Sequence, residues 1–191
     1  MNNYWETDKI KIRAFDESDI DRIIENRNNR NSTVDWLHDD IFLPKSPAQL
    51  KEELAEFVKE QKDEQCRLVI ETRSGTFVGE VWIWMTNRRG RNFMYGIEIA
   101  TAFQGQGYGK DALKIVFDYY FNELAYNKAI SQVYGYNTNS QNFHTKFGFI
   151  QEGILREHDF TRGKFWDRYT YGLLAREFNE KYSHNSWKSE V

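Results

Sequence analysis

Three closely spaced glycines are the residues of this chain best placed to do chemistry. Gly105, Gly107 and Gly109 lie in the stretch Q-G-Q-G-Y-G, between a run typical of a β-strand and a run typical of an amphipathic helix. A glycine-rich turn at a helix N-terminus leaves several main-chain N–H groups without helical partners, where the helix dipole is positive. Such a turn binds phosphate or pyrophosphate. The sequence therefore predicts a site for a phosphorylated cofactor at this turn.

The common phosphate-binding loops do not match this stretch. A Walker loop needs Ser or Thr after its Gly-Lys pair, whereas Lys110 is followed by Asp111. A dinucleotide fingerprint has the spacing G-x-G-x-x-G near the start of a βαβ unit, whereas this chain has G-x-G-x-G about halfway along. From the glycines alone, an ordinary strand-to-helix turn remains an alternative.

Two further groups of residues follow the glycine-rich turn in order. The first has the pattern Asn137-x-x-Ser140-x-x-x-x-x-Lys146-x-Gly148-Phe149. The second consists of the segments Gly153–Glu157, Arg162–Asp167 and Tyr171–Leu174. Together with Gln104, Gly107 and Gly109, these motifs resemble those of the GNAT superfamily of N-acetyltransferases. The later segments are similar to the branch that contains ribosomal-protein N-terminal acetyltransferases and spermidine acetyltransferases, and the resemblance spans roughly residues 7–178.

The resemblance implies a fold, a co-substrate and an activity. The fold is α/β, with a mixed, mostly antiparallel twisted sheet that is splayed between its fourth and fifth strands and flanked by helices. The co-substrate is acetyl-CoA, with its pyrophosphate on the glycine-rich turn and its pantetheine arm in the splay. The acceptor is a primary amine, either a polyamine or other small amine, or the N-terminal amine of a protein. The residues assigned to the cofactor are Ile99, Ala100, Gln104, Gly105, Gln106, Gly107, Tyr108, Gly109, Lys110, Asn137, Ser140 and Lys146.

Two residues are candidates for proton transfer. In the polyamine branch a tyrosine stands where this chain has His144, which implies an acid for the leaving thiolate, and an ordinary histidine pKa near 6.5 suits that role. The alternative for His144 is packing against the cofactor. Glu98 is the candidate base that takes a proton from the amine through water, with Glu80 as a neighbouring candidate and a structural glutamate as the alternative. By analogy with the family, main-chain N–H groups near Ile99 and Ala100 bind the oxyanion.

Other polar and aromatic residues have two interpretations each. Asn137 either hydrogen-bonds the pantetheine arm or is a turn asparagine. Lys110 and Lys114 either reach a CoA phosphate or are solvated helix lysines. The third group either lines the acceptor slot or belongs to the core, and its members are Trp84, Tyr134 and Tyr136.

Composition excludes several classes of protein. The chain has 191 residues and a net charge of −3, with no broad basic face, which argues against nucleic acid as a partner. No apolar run is long enough to span a bilayer, and the N-terminus is not a targeting peptide. The single cysteine, Cys66, favours a reducing compartment and a cytoplasmic location. The four histidines lie far apart without ligand spacing, so no metal site is expected.

The acidic residues are unevenly distributed. Residues 35–64 contain nine acidic residues and four lysines, a balance of −5. This region favours a cationic acceptor by electrostatic steering, although a solvated helix face is the alternative. A non-catalytic acyl-CoA-binding or regulatory module on the same fold is the alternative to an enzyme. The aromatic-rich terminal hairpin leaves a homodimer open.

Periodicity and turn residues predict one domain over residues 1–182, followed by a frayed tail over residues 183–191. Ser46, Pro47 and Gln49 predict a helix with a capping box. The predicted strands are Lys9–Phe15, Gln65–Arg73, Phe77–Thr86, Phe93–Ala100, Lys128–Tyr136, Phe149–Phe160 and Phe165–Leu174. The other predicted helices follow Asp16 or Ser18, or span Lys110–Leu124, Ser140–Phe147 and Ala175–Tyr182.

Overall fold

The structure is a computed structural model that describes residues 4–28, 45–59, 65–161 and 163–182. The expected tail over residues 183–191 lies outside these ranges. Six of the nine acidic residues between positions 35 and 64 also lie outside the described residues.

In the described part of the chain, seven strands form one mixed sheet with the spatial order β1-β2-β3-β4-β5-β7-β6. The strands are β1 (Ile10–Ala14), β2 (Gln65–Thr72), β3 (Phe77–Asn87), β4 (Asn92–Ile99), β5 (Lys128–Tyr134), β6 (Ile150–Thr161) and β7 (Lys164–Leu174). Every neighbouring pair is antiparallel except β4 and β5, which are parallel. The expectation of a mixed, mostly antiparallel sheet is confirmed.

The helices are α1 (Ile20–Asn28), α2 (Pro47–Lys59), α3 (Tyr108–Asp118), α4 (Thr138–Phe147) and α5 (Ala175–Tyr182). A π-helical turn, Tyr119–Glu123, continues α3, and short 3₁₀ turns occur at Glu17–Asp19 and Thr101–Phe103. The predicted capping box at the start of α2 is confirmed. The Gln49 N–H donates to Ser46 Oγ at 3.2 Å, and the Ser46 N–H donates to Gln49 Oε1 at 2.8 Å.

Helices cover both faces of the sheet, because alternate residues of each strand point to opposite faces. In β2, Ile70 joins the larger apolar cluster with α3, α4 and α5, whereas the adjacent Val69 joins a smaller cluster with α1 and α2. Phe117 of α3 lies at the centre of the larger cluster and contacts the rings of Phe147 on α4 and Phe178 on α5. Among the described residues, no helix is long and apolar enough to cross a membrane.

The sheet opens between its fourth and fifth strands. Only three residue pairs join β4 to β5, and the last of them is Met94 with Ile130. Beyond that pair β4 continues to Ile99 and β5 continues to Tyr134, each paired only with its outer neighbour. The expected splay between the fourth and fifth strands is therefore present. We call the space between Tyr95–Ile99 and Ser131–Tyr134 the gap.

Candidate active site

The glycine-rich turn joins the end of β4, through a short 3₁₀ turn, to the N-terminus of α3. Gly105 and Gly107 have positive φ angles of 74° and 88°, a region that favours glycine, and Gly107 is the N-cap of α3. A Cβ atom added at Gly105 would meet no atom within 4 Å, and one added at Gly107 would have Lys9 Nζ as its nearest neighbour at 3.9 Å. The turn therefore presents open main chain at a helix N-terminus, as a phosphate site requires.

Gly109 serves a different purpose from the two glycines before it. It lies inside α3, which begins at Tyr108, two residues before the predicted start at Lys110. A Cβ atom added at Gly109 would lie 3.4 Å from Ile99 Cγ1. A Cβ atom at this position would make an ordinary van der Waals contact, so the first turn of α3 lies against the end of β4.

Two glutamine side chains hold the turn in shape. Gln104 Nε2 donates to the Ile99 carbonyl oxygen at 2.9 Å, and Gln106 Nε2 donates to the Ala102 carbonyl oxygen at 2.9 Å. The Tyr108 ring makes an edge contact with Phe103, with ring centroids 5.8 Å apart. These contacts are internal, so Gln104, Gln106 and Tyr108 support the conformation of the turn.

Lysines lie beside the turn, and two of them, Lys110 and Lys114, were expected either to reach a CoA phosphate or to be solvated. Lys110 is exposed, and Lys114 lies 3.9 Å from Asp111. Burial lowers the pKa of Lys114. Lys9 Nζ, which lies just before β1, is 3.8 Å from the same Asp111 carboxylate. Nothing in the sequence indicated Lys9, because only the folded sheet brings the start of the chain next to the turn.

Of the Ile99 and Ala100 N–H groups at the end of β4, one is directed to the gap. The Ala100 N–H donates to the Val78 carbonyl oxygen at 2.9 Å, so it is directed to β3 and not to the gap. The main-chain groups of successive strand residues alternate between the two edges, which directs the Ile99 N–H to the gap. Of the two expected oxyanion donors, the structure therefore brings only Ile99 to the site.

Asn137 is the N-cap of α4, at the end of β5 and beside the gap. Its Oδ1 accepts from the Ser140 N–H at 3.0 Å, so the turn interpretation describes one half of the side-chain amide. The Nδ2 group remains the half that can donate to a ligand. Lys146 is exposed in the last turn of α4, at the opposite end from Asn137, and the structure does not bring it to the gap.

His144 is buried on the α3 side of the sheet. Its Nδ1 lies 2.7 Å from the Ser140 carbonyl oxygen, and its Nε2 lies 2.7 Å from the Tyr95 hydroxyl. A carbonyl oxygen only accepts, so Nδ1 carries the proton and Nε2 accepts from Tyr95. Burial lowers the pKa of His144, so the ring is neutral at neutral pH. This geometry opposes the expected acid role, because the ring has no free proton to give.

Glu98 lies on the opposite face of the sheet from Tyr95 and His144, because its position in β4 has the other parity. It is buried and lies directly across from Glu80 of β3. Glu80 is held by the Arg67 guanidinium through a bidentate ion pair, so it is committed to a structural role. Of the two carboxylates considered as bases, Glu98 is the one on the strand that borders the gap.

Aromatic side chains border the gap on the side of β5. The rings of Tyr134 and Tyr136 are stacked with centroids 5.2 Å apart, and Trp166 of β7 meets Tyr136 edge-on at 5.6 Å. The Arg168 guanidinium lies over the Tyr134 ring at 4.9 Å. Trp84, the third expected aromatic residue, lies across from Met94 on β3, so a strand separates it from the gap.

The described ranges contain no cluster of three or more His, Cys, Asp or Glu residues that is placed to hold a metal ion. The site thus consists of an open glycine-rich turn, a gap between two parallel strands and a buried carboxylate.

A family model described as the acetyltransferase (GNAT) domain matches residues 9–150. The chain belongs to the GNAT acetyltransferase family.

Two curated relatives match most of the chain. An uncharacterized N-acetyltransferase of Bacillus subtilis, the SPbeta prophage-derived YokL, is 30% identical over 184 residues, which is 92% of this chain and 95% of the relative. The spermidine N(1)-acetyltransferase of Vibrio cholerae is 26% identical over 174 residues, which is 90% of this chain and 96% of the relative. These relatives support an acetyltransferase enzyme rather than a non-catalytic module.

Solved structures agree with this assignment. The spermidine N-acetyltransferase of Vibrio cholerae in complex with CoA and spermine superimposes with a TM-score of 0.75 at 25% identity. The match covers 88% of this chain and 97% of that one. The expected fold is therefore confirmed at the level of the whole sheet and its helices.

Proposed function

We propose that the protein transfers an acetyl group from acetyl-CoA directly to a primary amine. The single observation that carries this proposal is the open turn at Gly105 and Gly107, which leads directly to the gap between β4 and β5. A pyrophosphate fits this turn because no side chain covers its main chain. A flexible arm with amide groups fits the gap, because it can pair with a strand edge as an added strand does.

Three residues have chemical roles in this proposal. The Glu98 carboxylate takes, through water, the proton that an ammonium acceptor loses before it can attack a thioester carbonyl. The Ile99 N–H donates to the oxygen that becomes negative as the C–N bond forms. The Asn137 amide donates to the arm. The second proton of the attacking amine passes through solvent to the sulfur as the C–S bond breaks, so protons balance without an acid from His144.

The acceptor we propose is an amine with additional positive charge. Within the described part of α2, Glu52, Glu53 and Glu56 are exposed, and the wider segment of residues 35–64 has a balance of −5. Steering by this charge favours polyamines and basic protein N-termini over neutral amines. A relative named for spermidine, and a putative ribosomal N-acetyltransferase of Bacillus subtilis that is 30% identical over 105 residues, suggest these two acceptor classes.

The test is release of thiol from acetyl-CoA with a panel of amines: spermidine, aminoglycosides, single amino acids and peptides with free N-termini. The expected result is saturable release with one cationic class, at a rate that falls as salt is raised. The background from the Cys66 thiol is measured in a reaction without acceptor. Tight binding of CoA without release above that background for any amine would contradict the proposed activity.

Two further features extend the proposal. We infer a cytoplasmic setting from Cys66, because burial raises the pKa of its thiol and no second cysteine can pair with it.

We also infer self-association through the terminal hairpin of β6 and β7, which exposes several large apolar side chains. These are Ile150, Ile154, Leu155, Phe160 and Phe165. Light scattering across a concentration series tests the inference, and a monomer at all concentrations would contradict it.

A further inference from the structure

A chain of buried hydrogen bonds closes the inner end of the gap. Tyr95 of β4 and Ser131 of β5 are the first residues beyond the last β4–β5 pair, Met94 with Ile130. Burial raises the pKa of Tyr95, whereas a side-chain hydrogen bond from Ser131 lowers it. This bond links Tyr95 of β4 to Ser131 of β5 at the point where the two strands separate. The Tyr95 hydroxyl lies 2.7 Å from His144 Nε2 on α4.

The donor and the acceptor of each hydrogen bond in this network are determined. The Ser140 carbonyl accepts from His144 Nδ1–H, His144 Nε2 accepts from the Tyr95 O–H, and the Tyr95 oxygen accepts from the Ser131 O–H. Tyr95, Ser131 and His144 are only 4%, 5% and 4% exposed. Polar groups buried to this degree are costly unless they are paired, so the network specifies one arrangement of β4, β5 and α4.

The network lies where an arm in the gap would end. The four steps along β4 from Ile99 to Tyr95 span about 13 Å at roughly 3.3 Å per residue, so an extended group that enters at the glycine-rich turn ends near the Tyr95 hydroxyl. Neither ring can protonate a leaving group there. Nε2 of His144 has no proton, and removal of the Tyr95 proton would leave a buried phenolate.

We propose that Tyr95 is a positioning residue for acyl transfer: by joining Ser131 on β5 to His144 on α4, it determines where the gap closes and thus where the reacting carbonyl stops. The proposal rests on the proposed function for its activity readout, but the network itself can be tested in the free protein. His144 acts as the acceptor that holds the Tyr95 hydroxyl in place.

The experiment compares Tyr95→Phe with Tyr171→Phe. Tyr171 of β7 is a matched control, because it is buried and its ring stacks on the His144 ring, with centroids 5.5 Å apart, but it takes no part in this hydrogen-bond network. Tyr95 and Tyr171 are also the titratable side chains that face His144 from the sheet. Among the described residues, the uncharged rings of Phe143 and Phe149 also contact His144.

The first readout is ¹⁵N NMR of the histidine ring in the protein without ligand. In the wild type and in Tyr171→Phe, we expect His144 to be neutral, with its proton on Nδ1, down to a pH below the ordinary pKa of histidine. In Tyr95→Phe, loss of the donor to Nε2 makes His144 titrate at higher pH. A wild-type His144 with its proton on Nε2, or one that titrates as an exposed histidine does, would overturn the inference.

The second readout is steady-state kinetics and acetyl-CoA binding. Tyr95→Phe is expected to lower kcat by about 10- to 100-fold with every active amine, because the reacting carbonyl is misplaced. The Kd for acetyl-CoA is expected to stay within about twofold, because the glycine-rich turn is intact, and Tyr171→Phe is expected to retain both values. Unchanged kcat in a Tyr95→Phe variant that binds acetyl-CoA would overturn this inference alone. Absence of acetyl-CoA binding in the wild type would overturn the proposed function and this inference with it.

Discussion

Substitution of Gly107 by valine separates the phosphate-binding role of the turn from its backbone requirement. Gly107 has a φ of 88°, where a β-branched residue is strained, so the variant should lose about 1–3 kcal/mol of unfolding free energy whatever it binds. The structure supplies a control for this strain. Gly75 has a φ of 84° in the turn between β2 and β3, and a Cβ atom added there would meet no atom within 4 Å.

Gly107→Val and Gly75→Val are therefore expected to be destabilised equally, with Tm lower by roughly 2–4 °C for each kcal/mol. Only Gly107→Val should lose affinity for acetyl-CoA, because its side chain covers main-chain N–H groups at the start of α3. Each hydrogen bond lost to a charged group costs about 1.5–3 kcal/mol, or about 10- to 100-fold in Kd.

The assay is isothermal titration of both variants with acetyl-CoA, at a temperature where thermal melts show both to be folded. Equal Kd values in the two variants would refute the assignment of the phosphate site to this turn. A Gly107→Val variant with the stability of the wild type would refute the argument from its backbone angle.

Three shorter predictions concern other parts of the chain. Asn137→Asp should keep the Tm, because a carboxylate still caps the Ser140 N–H, but it should weaken acetyl-CoA binding, because it lacks the Nδ2 donor. Asn137→Ala should weaken binding too and should also lose about 1 kcal/mol of unfolding free energy. Binding of acetyl-CoA by both variants as tightly as by the wild type would contradict the role of Nδ2. Arg67→Met should lower the free energy of unfolding, measured with urea, by about 3–5 kcal/mol, because it leaves the buried Glu80 without its bidentate partner. The double variant Arg67→Met, Glu80→Met should recover much of that loss. A loss below about 1 kcal/mol in Arg67→Met would count against a stabilising role for the ion pair. Cys66 should react with a thiol reagent at pH 8 more slowly in the folded protein than in urea, because burial raises its pKa and reduces the thiolate fraction; equal rates would argue against that burial.

Features that depend on neighbouring residues could be predicted from the sequence. The start of α2 is an example, because the capping box needs only Ser46 and Gln49 and both bonds form within one helical turn. The strand bounds are accurate to one or two residues for the same reason. The start of α3 was placed two residues late, because the positive φ at Gly107 lets the helix begin immediately after it.

Features that depend on contacts between residues far apart in the sequence could not be predicted. An acid role for His144 assumed an ordinary pKa, whereas burial lowers the pKa of His144 and the Tyr95 hydroxyl donates to its Nε2. Tyr95 itself was indistinguishable from a core aromatic residue, although a buried tyrosine hydroxyl needs a partner and that need was a usable signal. The Ala100 N–H was assigned to the wrong edge of β4, since only the register with Val78 decides which edge it faces.

The opening of the sheet between β4 and β5 has a consequence for amide hydrogen exchange. Along one strand, the N–H groups of Gly96 and Glu98 point into the β3 ladder, and those of Ile97 and Ile99 point into the gap. In the free protein, deuterium should therefore enter β4 at every second residue, although all four residues belong to the same strand. Occupation of the gap should slow exchange at Ile97 and Ile99 and leave Gly96 and Glu98 nearly unchanged. Exchange rates at these four residues of β4 therefore report whether an arm occupies the gap, independently of any chemistry at the site.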